Sequence, residues 1–386
     1  MNTEHFDANK MRGDPINMKK LVSLLLAVSM LLGVVSFAAA DEAIKVAMVT
    51  DSGDITDQSF NQTTYEAAKA YCEANGLDFN YYKPAADSDP DRVAAIEMAI
   101  NDGYNVIVLP GYLFGPAVQE VQDVYADVTF ICLDMSEGDL GGAPASNVFS
   151  AVYQEELSGY MAGYAAVKMG YKHLGFLGGM AVPAVIRFGY GFVQGADAAA
   201  KEMNIADQVA VEYVYGNQFF GDADITAYMD NWYQNLGVEI VFACGGGIYT
   251  SAAEAAVKVE GGKVIGVDTD QSAIINKYAE NLTVTSAMKG LAATVNTLLA
   301  EIKAGNFANY GGTVQNLGLV SGDDPTANYV QIPMETTQWG DGFTQDDYKT
   351  LVKAMFDGEI TVSNDVSVEP AANATTITVN SYSNIK

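Results

Sequence analysis

Four aspartates stand where a carboxylate can serve a ligand. Asp51, Asp134, Asp268 and Asp270 follow short apolar runs, in Val49-Thr-Asp51, Ile131-Cys-Leu-Asp134 and Val267-Asp-Thr-Asp270. Positions just after apolar strands converge on the carboxyl edge of a parallel sheet, where open α/β folds hold ligands. A carboxylate there accepts hydrogen bonds from two hydroxyls, which suits ribose or a sugar. Calcium would need about six to eight closely spaced oxygens, and only Asp268 and Asp270 form a close pair, so no metal site is expected. Each aspartate could equally cap the helix that follows it.

Next to Asp51, Ser59-Phe60-Asn61 opens a predicted helix with an N-cap hydroxyl, an aromatic ring and an amide. No Lys, Arg or glycine-rich fingerprint accompanies them, so a flat polar ligand fits this junction better than a phosphate. Phe219-Phe220 follows a later strand as Phe60 follows the first. Two aromatics from separate segments could sandwich a planar base, with Phe220 facing the ligand and Phe219 the core. Gly245-Gly246-Gly247 closes another strand, either as a tight turn or because the backbone at Gly246 must come close to a ligand. Lys289 either balances Asp268 in a cleft or is a solvated lysine on a first helical turn, a site the helix dipole disfavours for a cation.

Catalytic chemistry finds little support. The chain has two histidines, His5 and His173, and His173 opens a predicted strand; no zinc-protease, nucleophile-elbow, Walker or dinucleotide motif is present. No enzyme activity and no cofactor are expected. Cys72, Cys132 and Cys244 lie within apolar patterns and read as buried thiols.

The elements that must position these residues alternate between short apolar runs and longer amphipathic stretches over most of the chain, which predicts parallel sheets covered by helices. Predicted strands are 45–50, 78–83, 106–109 and 128–133, then 173–177, 208–213, 240–243, 263–267 and 282–287. Predicted helices include 59–75, 89–101, 153–169, 185–203, 223–236 and 250–259, then 289–303, which returns to the first half, and 346–356, with a short strand at 358–362. The expected organisation is an N-terminal extension and signal peptide at 1–40, a first lobe of 41–150 with 288–318, a second of 151–287 with 319–365, and a tail of 366–386 that either adds a strand or is disordered. Met18-Lys-Lys followed by apolar residues to Phe37 and Ala38-Ala-Ala40 carries the signal reading, and with it export, with a membrane-spanning helix as the alternative. With Lys+Arg 20 against Asp+Glu 48, a net charge of -28, the surface repels nucleic acid and anionic membranes.

At these residues the sequence resembles the basic membrane protein family of bacterial solute-binding proteins, the purine-nucleoside receptors of ABC importers. The segments that carry the resemblance are Asp51 to Asn61, Gly178-Gly-Met180, Arg187-Phe188, Gly191-Phe192, Phe220-Gly-Asp222, Cys244 to Gly247, Val264 to Gln271 and Thr285 to Lys289. The resemblance implies a type I periplasmic-binding fold with two Rossmann-like lobes and a multi-stranded hinge, a nucleoside enclosed between the lobes, and a membrane permease as partner to a monomer. It implies that Phe60 and Phe220 stack on the base and that Asn61 and Asp134 read its edge. Asp268 and Lys289 would hold the ribose, with Asp51, Ser59 and Gly246 lining the pocket. Two departures stand out. Asp54 occupies a place where the family often has glycine, adding a charge to the ligand loop, and Phe37 to Asp41 has no lipobox cysteine, so ordinary signal cleavage is expected. A sugar receptor of the same fold, and a secreted nucleoside hydrolase, are the alternative readings.

Overall fold

A computed structural model describes residues 43–386. The expected extension and signal peptide, 1–40, lie outside the described residues.

The apolar runs form two separate sheets. The first contains β1 (Lys45–Val49), β2 (Asp78–Tyr82), β3 (Val106–Pro110), β4 (Thr129–Leu133), β5 (Val148–Tyr153) and, later in the chain, β11 (Thr313–Leu317), in the spatial order β11-β5-β4-β3-β1-β2. The second contains β6 (His173–Gly178), β7 (Ala210–Tyr215), β8 (Ile240–Cys244), β9 (Lys263–Asp268), β10 (Thr283–Lys289), β12 (Val330–Gln331) and β13 (Thr378–Ser381), in the order β12-β10-β9-β8-β6-β7-β13. All pairings are parallel except β10 with β12. Helices cover both faces, so central strands such as Val106–Pro110 are buried throughout and read as unbroken apolar runs.

The chain passes between the two sheets after β5, after β10 and between β11 and β12, and the ligand edge of each lobe lies beside these crossings. Several elements differ from expectation. β5, Val148–Tyr153, is not among the predicted strands. β11 was not expected, because Thr313-Val-Gln-Asn-Leu317 is a half-exposed edge strand with no apolar run. Residues 358–362 form no strand, since Gly358 turns the chain in the left-handed region at φ 77. The tail adds β13 to the edge of β7, and Asp197 fastens it by accepting hydrogen bonds from Thr375, Thr376 and Ile377.

One helix pair has a direct bearing on the cleft. Helices Glu155–Lys168 and Pro183–Glu202 touch backbone to backbone, because a Cβ at Gly159, Gly163, Gly191 or Gly195 would lie 2.0–2.1 Å from a carbonyl oxygen of the facing helix. Glycine is required at that approach. The contact carries Arg187 on one helix to Glu155 on the other.

Candidate functional site

The carboxyl edges of β1, β3, β4, β8 and β9 meet around one cavity of about 1100 Å³, open mouth included. Asp51, Phe60, Asn61, Tyr112 and Asp134 line it from the first lobe, and Arg187, Phe188, Phe219, Gly246, Asp268 and Lys289 complete it. A concave, largely apolar site with few converging polar groups is the usual form of a small-molecule site.

Lys289 is the hub of one half. It is the last residue of β10, and the helix begins only at Leu291. The expected first-turn position is therefore corrected, and with it the conflict with a helix dipole. The ammonium is buried, donates to Asp134, and lies 3.7 Å from both Glu155 Oε1 and Asp268 Oδ1. It sits 4.6 Å from the centre of the Phe60 ring, within cation–π range. Burial works against its charge, but Asp134, Asp268 and Glu155 more than offset this and hold its pKa above the ordinary lysine range. Burial pushes Asp268 up, against the pull of Lys289 and the Ser59 hydroxyl. Arg187 Nε donates to Glu155 Oε2 at 2.6 Å. Asp134 Oδ1 and Glu155 Oε1 are buried without a hydrogen-bond donor among the described residues, and of the two only Asp134 lines the cavity, where a ligand could satisfy it. Asp134 and Asp268 also hold left-handed backbone at φ 61 and 65, strain of a kind that collects at functional sites.

Asp51 is the hub of the other half. Its Oδ1 accepts from Gly53 N–H at 2.7 Å and from Asn61 Nδ2 at 2.9 Å, while its Oδ2 has no donor among the described residues. The other Asn61 amide hydrogen goes to Asp57 Oδ2 at 3.1 Å. Asn61 thus orients Asp51 and spends both amide hydrogens within the protein, while its Oδ1 is engaged only by Asp51 N–H at 3.4 Å; Asp134, the other expected reader, pairs with Lys289 through one oxygen. Gly111, at φ 115, folds over this carboxylate, and a Cβ there would lie 2.8 Å from Oδ2.

Three further expectations change. Ser59 occupies the N-cap position without capping; its hydroxyl instead donates to Asp268 Oδ2 at 2.6 Å, joining the lobes behind the cavity. Asp57 does the capping, accepting from Ser59, Asn61 and Gln62 N–H. Phe220 is 61% exposed and absent from the lining, while Phe219 faces the cavity. The reason is space: Gly179 and Gly245 lack the Cβ atoms that would stand 2.5 and 2.9 Å from the Phe219 ring. Asp54 turns away to pair with Lys83 at 3.0 Å and with Thr56, so its charge stays outside the cavity. Asp270 caps Ser272 N–H and bonds Thr336, as the capping alternative holds. The three cysteines are buried and unpaired. His173 pairs with Glu212 at 2.8 Å, outside the lining.

Sequence reasoning missed Glu155, Arg187 as a cleft cation, Tyr112 and Gly111. Signals for two of them existed: Glu155-Glu156 is an acidic pair opening an otherwise apolar helix, and Arg187 is a lone arginine on another.

Two α/β lobes with a cavity between their sheet edges define a bilobal binding fold. A solute-binding protein of an ABC transporter system from Aeropyrum pernix superimposes with TM-score 0.63 at 21% identity, covering 84% of this chain and 88% of that one, which shows the type I periplasmic-binding fold. The family described as ABC transporter substrate-binding protein PnrA-like matches residues 44–322, and the chain belongs to it. Among its relatives, the ABC transporter nucleoside-binding protein BmpA of Lactococcus lactis is 27% identical over 72% of this chain and 80% of its own. The CD4+ T-cell-stimulating antigen of Listeria innocua is 30% identical over 71% of this chain and 77% of its own. The chain is thus an ABC transporter substrate-binding protein of the basic membrane protein family. Among the described residues no helix is long and apolar enough to cross a membrane.

Proposed function

We propose that this receptor is exported, encloses a purine nucleoside between its lobes as a monomer, and presents the closed form to a membrane permease, with no chemical change to the ligand. The observation that carries the reading is the pairing, in one cavity, of aromatic rings on separate segments, Phe60 and Phe219, with the Lys289–Asp134–Asp268 cluster. The rings offer faces for a planar base, and the cluster offers donors and acceptors for a ribose. The lining carboxylates of Asp51, Asp57, Asp134, Asp139 and Asp268 face only Arg187 and Lys289 as cations, which favours a neutral nucleoside over a nucleotide. The nucleoside-binding relative from Lactococcus lactis supports the same class.

Ligand held by both lobes stabilises the closed form by its differential affinity, and that population shift is what a permease would read. A thermal-shift panel of nucleosides, free bases and sugars tests the proposal. At a hundredfold excess over Kd a ligand adds about 2.7 kcal/mol of stability, so intact nucleosides should raise the melting temperature by several degrees. A shift with sugars alone would make it a sugar receptor, and release of free base would make it a hydrolase.

A further inference from the structure

Past β13 the tail does not leave the sheet. Tyr382 N–H donates to Tyr213 O and Ile385 N–H to Tyr215 O, each at 2.9 Å, so the chain follows β7 to its carboxyl end, where the loop carrying Phe219 begins. There the Lys386 ammonium lies 2.6 Å from Asp222 Oδ2 and 3.0 Å from Asp224 Oδ2. We propose that residues 378–386 form a strap that positions Phe219 in the cleft, with Lys386 as its catch. The strap lies beyond the span 44–322 that matches the family, so its role follows from this chain's own contacts.

The catch closes on the loop itself. Asp222 Oδ1 caps the helix Ala223–Asn231 by accepting from Asp224 and Ile225 N–H, while Oδ2 accepts from Gln218 Nε2 at 2.8 Å as well as from Lys386. Gln218 Nε2 also donates to Phe220 O at 2.9 Å. The residues on either side of Phe219 are thus laced to the aspartate that Lys386 holds. On the opposite side the loop hangs on Gly216 and Asn217 N–H, which donate to Gly178 O and Gly179 O, and on Gly247 N–H, which donates to Phe219 O. The Asp222 carboxyl is held down at about 2, by Lys386 first and by Ile225 N–H second, so the charge-assisted contact is in place at any physiological pH.

The body of the strap is fastened separately. Besides the Asp197 clamp on residues 375–377, Glu212 of β7 is buried and accepts from Asn380 Nδ2 at 3.0 Å and from the Tyr382 hydroxyl at 2.6 Å. Tyr382 rests against Trp232 and Tyr228, with ring centres 6.2 and 6.3 Å apart, and Ile385 packs on the cluster that contains Ile225 and Trp232. A change at the partly exposed Lys386 therefore opens the catch and leaves the strap and the fold in place.

Hydrogen exchange of the full chain without ligand, read by mass spectrometry, tests the hold on the loop. An exposed ion pair biases an equilibrium by up to about fivefold, and Lys386→Glu turns attraction to two aspartates into repulsion, so amides of residues 216–222 should exchange about tenfold faster, with the helix Asp89–Asn101 unchanged. Inosine affinity by titration calorimetry should fall about fivefold in the same variant, a half of the prediction that rests on the nucleoside reading of the cleft. Lys386→Arg keeps the charge and should restore both. Unchanged exchange at 216–222, or faster exchange confined to the helix Ala223–Asn231, overturns the proposal, and so does faster exchange of the loop with wild-type affinity. Absence of inosine binding by the wild type overturns the nucleoside reading instead, and exchange at 216–222 then decides the strap by itself.

Discussion

Replacing Lys289 by Met removes the one ammonium on which three buried carboxylates converge. Lys289 is 6% exposed, and Asp134, Glu155 and Asp268 around it have side chains 10%, 0% and 7% exposed. Of these, only Glu155 keeps another cation, Arg187. Breaking a buried pair by deleting one partner costs about 3–5 kcal/mol, because the remaining charge stays desolvated. In a chain of this size each kcal/mol is worth about 2 °C, so differential scanning fluorimetry should show a fall of about 6–10 °C. The deficit must also depend on pH. Burial already pushes Asp134 and Asp268 above the ordinary 3.8, and Lys289 restrains both; without it they rise further. A raised carboxyl means that the folded state holds a proton the unfolded state has released, so stability is lost as pH climbs from the unfolded value through the raised folded one. The gap between variant and wild type should therefore be wider at pH 8 than at pH 5. A fall under about 2 °C, or a gap that does not change with pH, would refute the view of Lys289 as the counter-charge of the cleft.

Other perturbations separate the residues in the cavity from those beside it. Phe219→Ala should weaken nucleoside binding by about 1–3 kcal/mol, the worth of one base–aromatic stack, while Phe220→Ala, which removes a 61% exposed ring, should change it less than about threefold by calorimetry; the reverse order would restore the expectation from sequence. Ser59→Ala deletes the 2.6 Å bond from hydroxyl to Asp268 carboxylate that joins the lobes. A hydrogen bond to a charged group is worth about 1.5–3 kcal/mol, so affinity should fall at least about tenfold, and unchanged affinity would mean the contact plays no part in closure. Asp54→Ala should leave affinity within about twofold, since that carboxylate pairs with Lys83 outside the cavity; a large change would bring it back into the ligand loop.

Much of the architecture was legible because buried parallel strands announce themselves. Runs such as Val-Ile-Val-Leu and Ile-Val-Phe-Ala-Cys have no polar face to confuse their period. β11 was not legible, since Thr313-Val-Gln-Asn-Leu317 lies half-exposed at an edge and its pattern carries no burial signal. At the site, residues placed by strand ends came through: Asp51, Asp134, Asp268 and Gly246 reach the cavity because the carboxyl edges of β1, β4, β9 and β8 put them there. Lys289 also reached it, though at the end of a strand that runs two residues beyond the predicted 282–287, with Gly290 intervening before the helix. What failed was the choice between neighbours. Phe219 and Phe220 are equivalent in composition, and only the glycines at 179 and 245, distant in sequence, decide which ring enters. The Glu155–Arg187 pair was hidden for a similar reason, because it forms through the close contact of two helices whose glycines are spaced at four residues.

We propose the cleft as a receptor for an intact nucleoside. Titration calorimetry with inosine, followed by chromatography of the recovered ligand, tests it most directly. One nucleoside bound per chain and recovered unchanged, with ribose and glucose failing to compete, is the predicted result. No heat with any purine nucleoside, or recovery of free base and ribose, would contradict it.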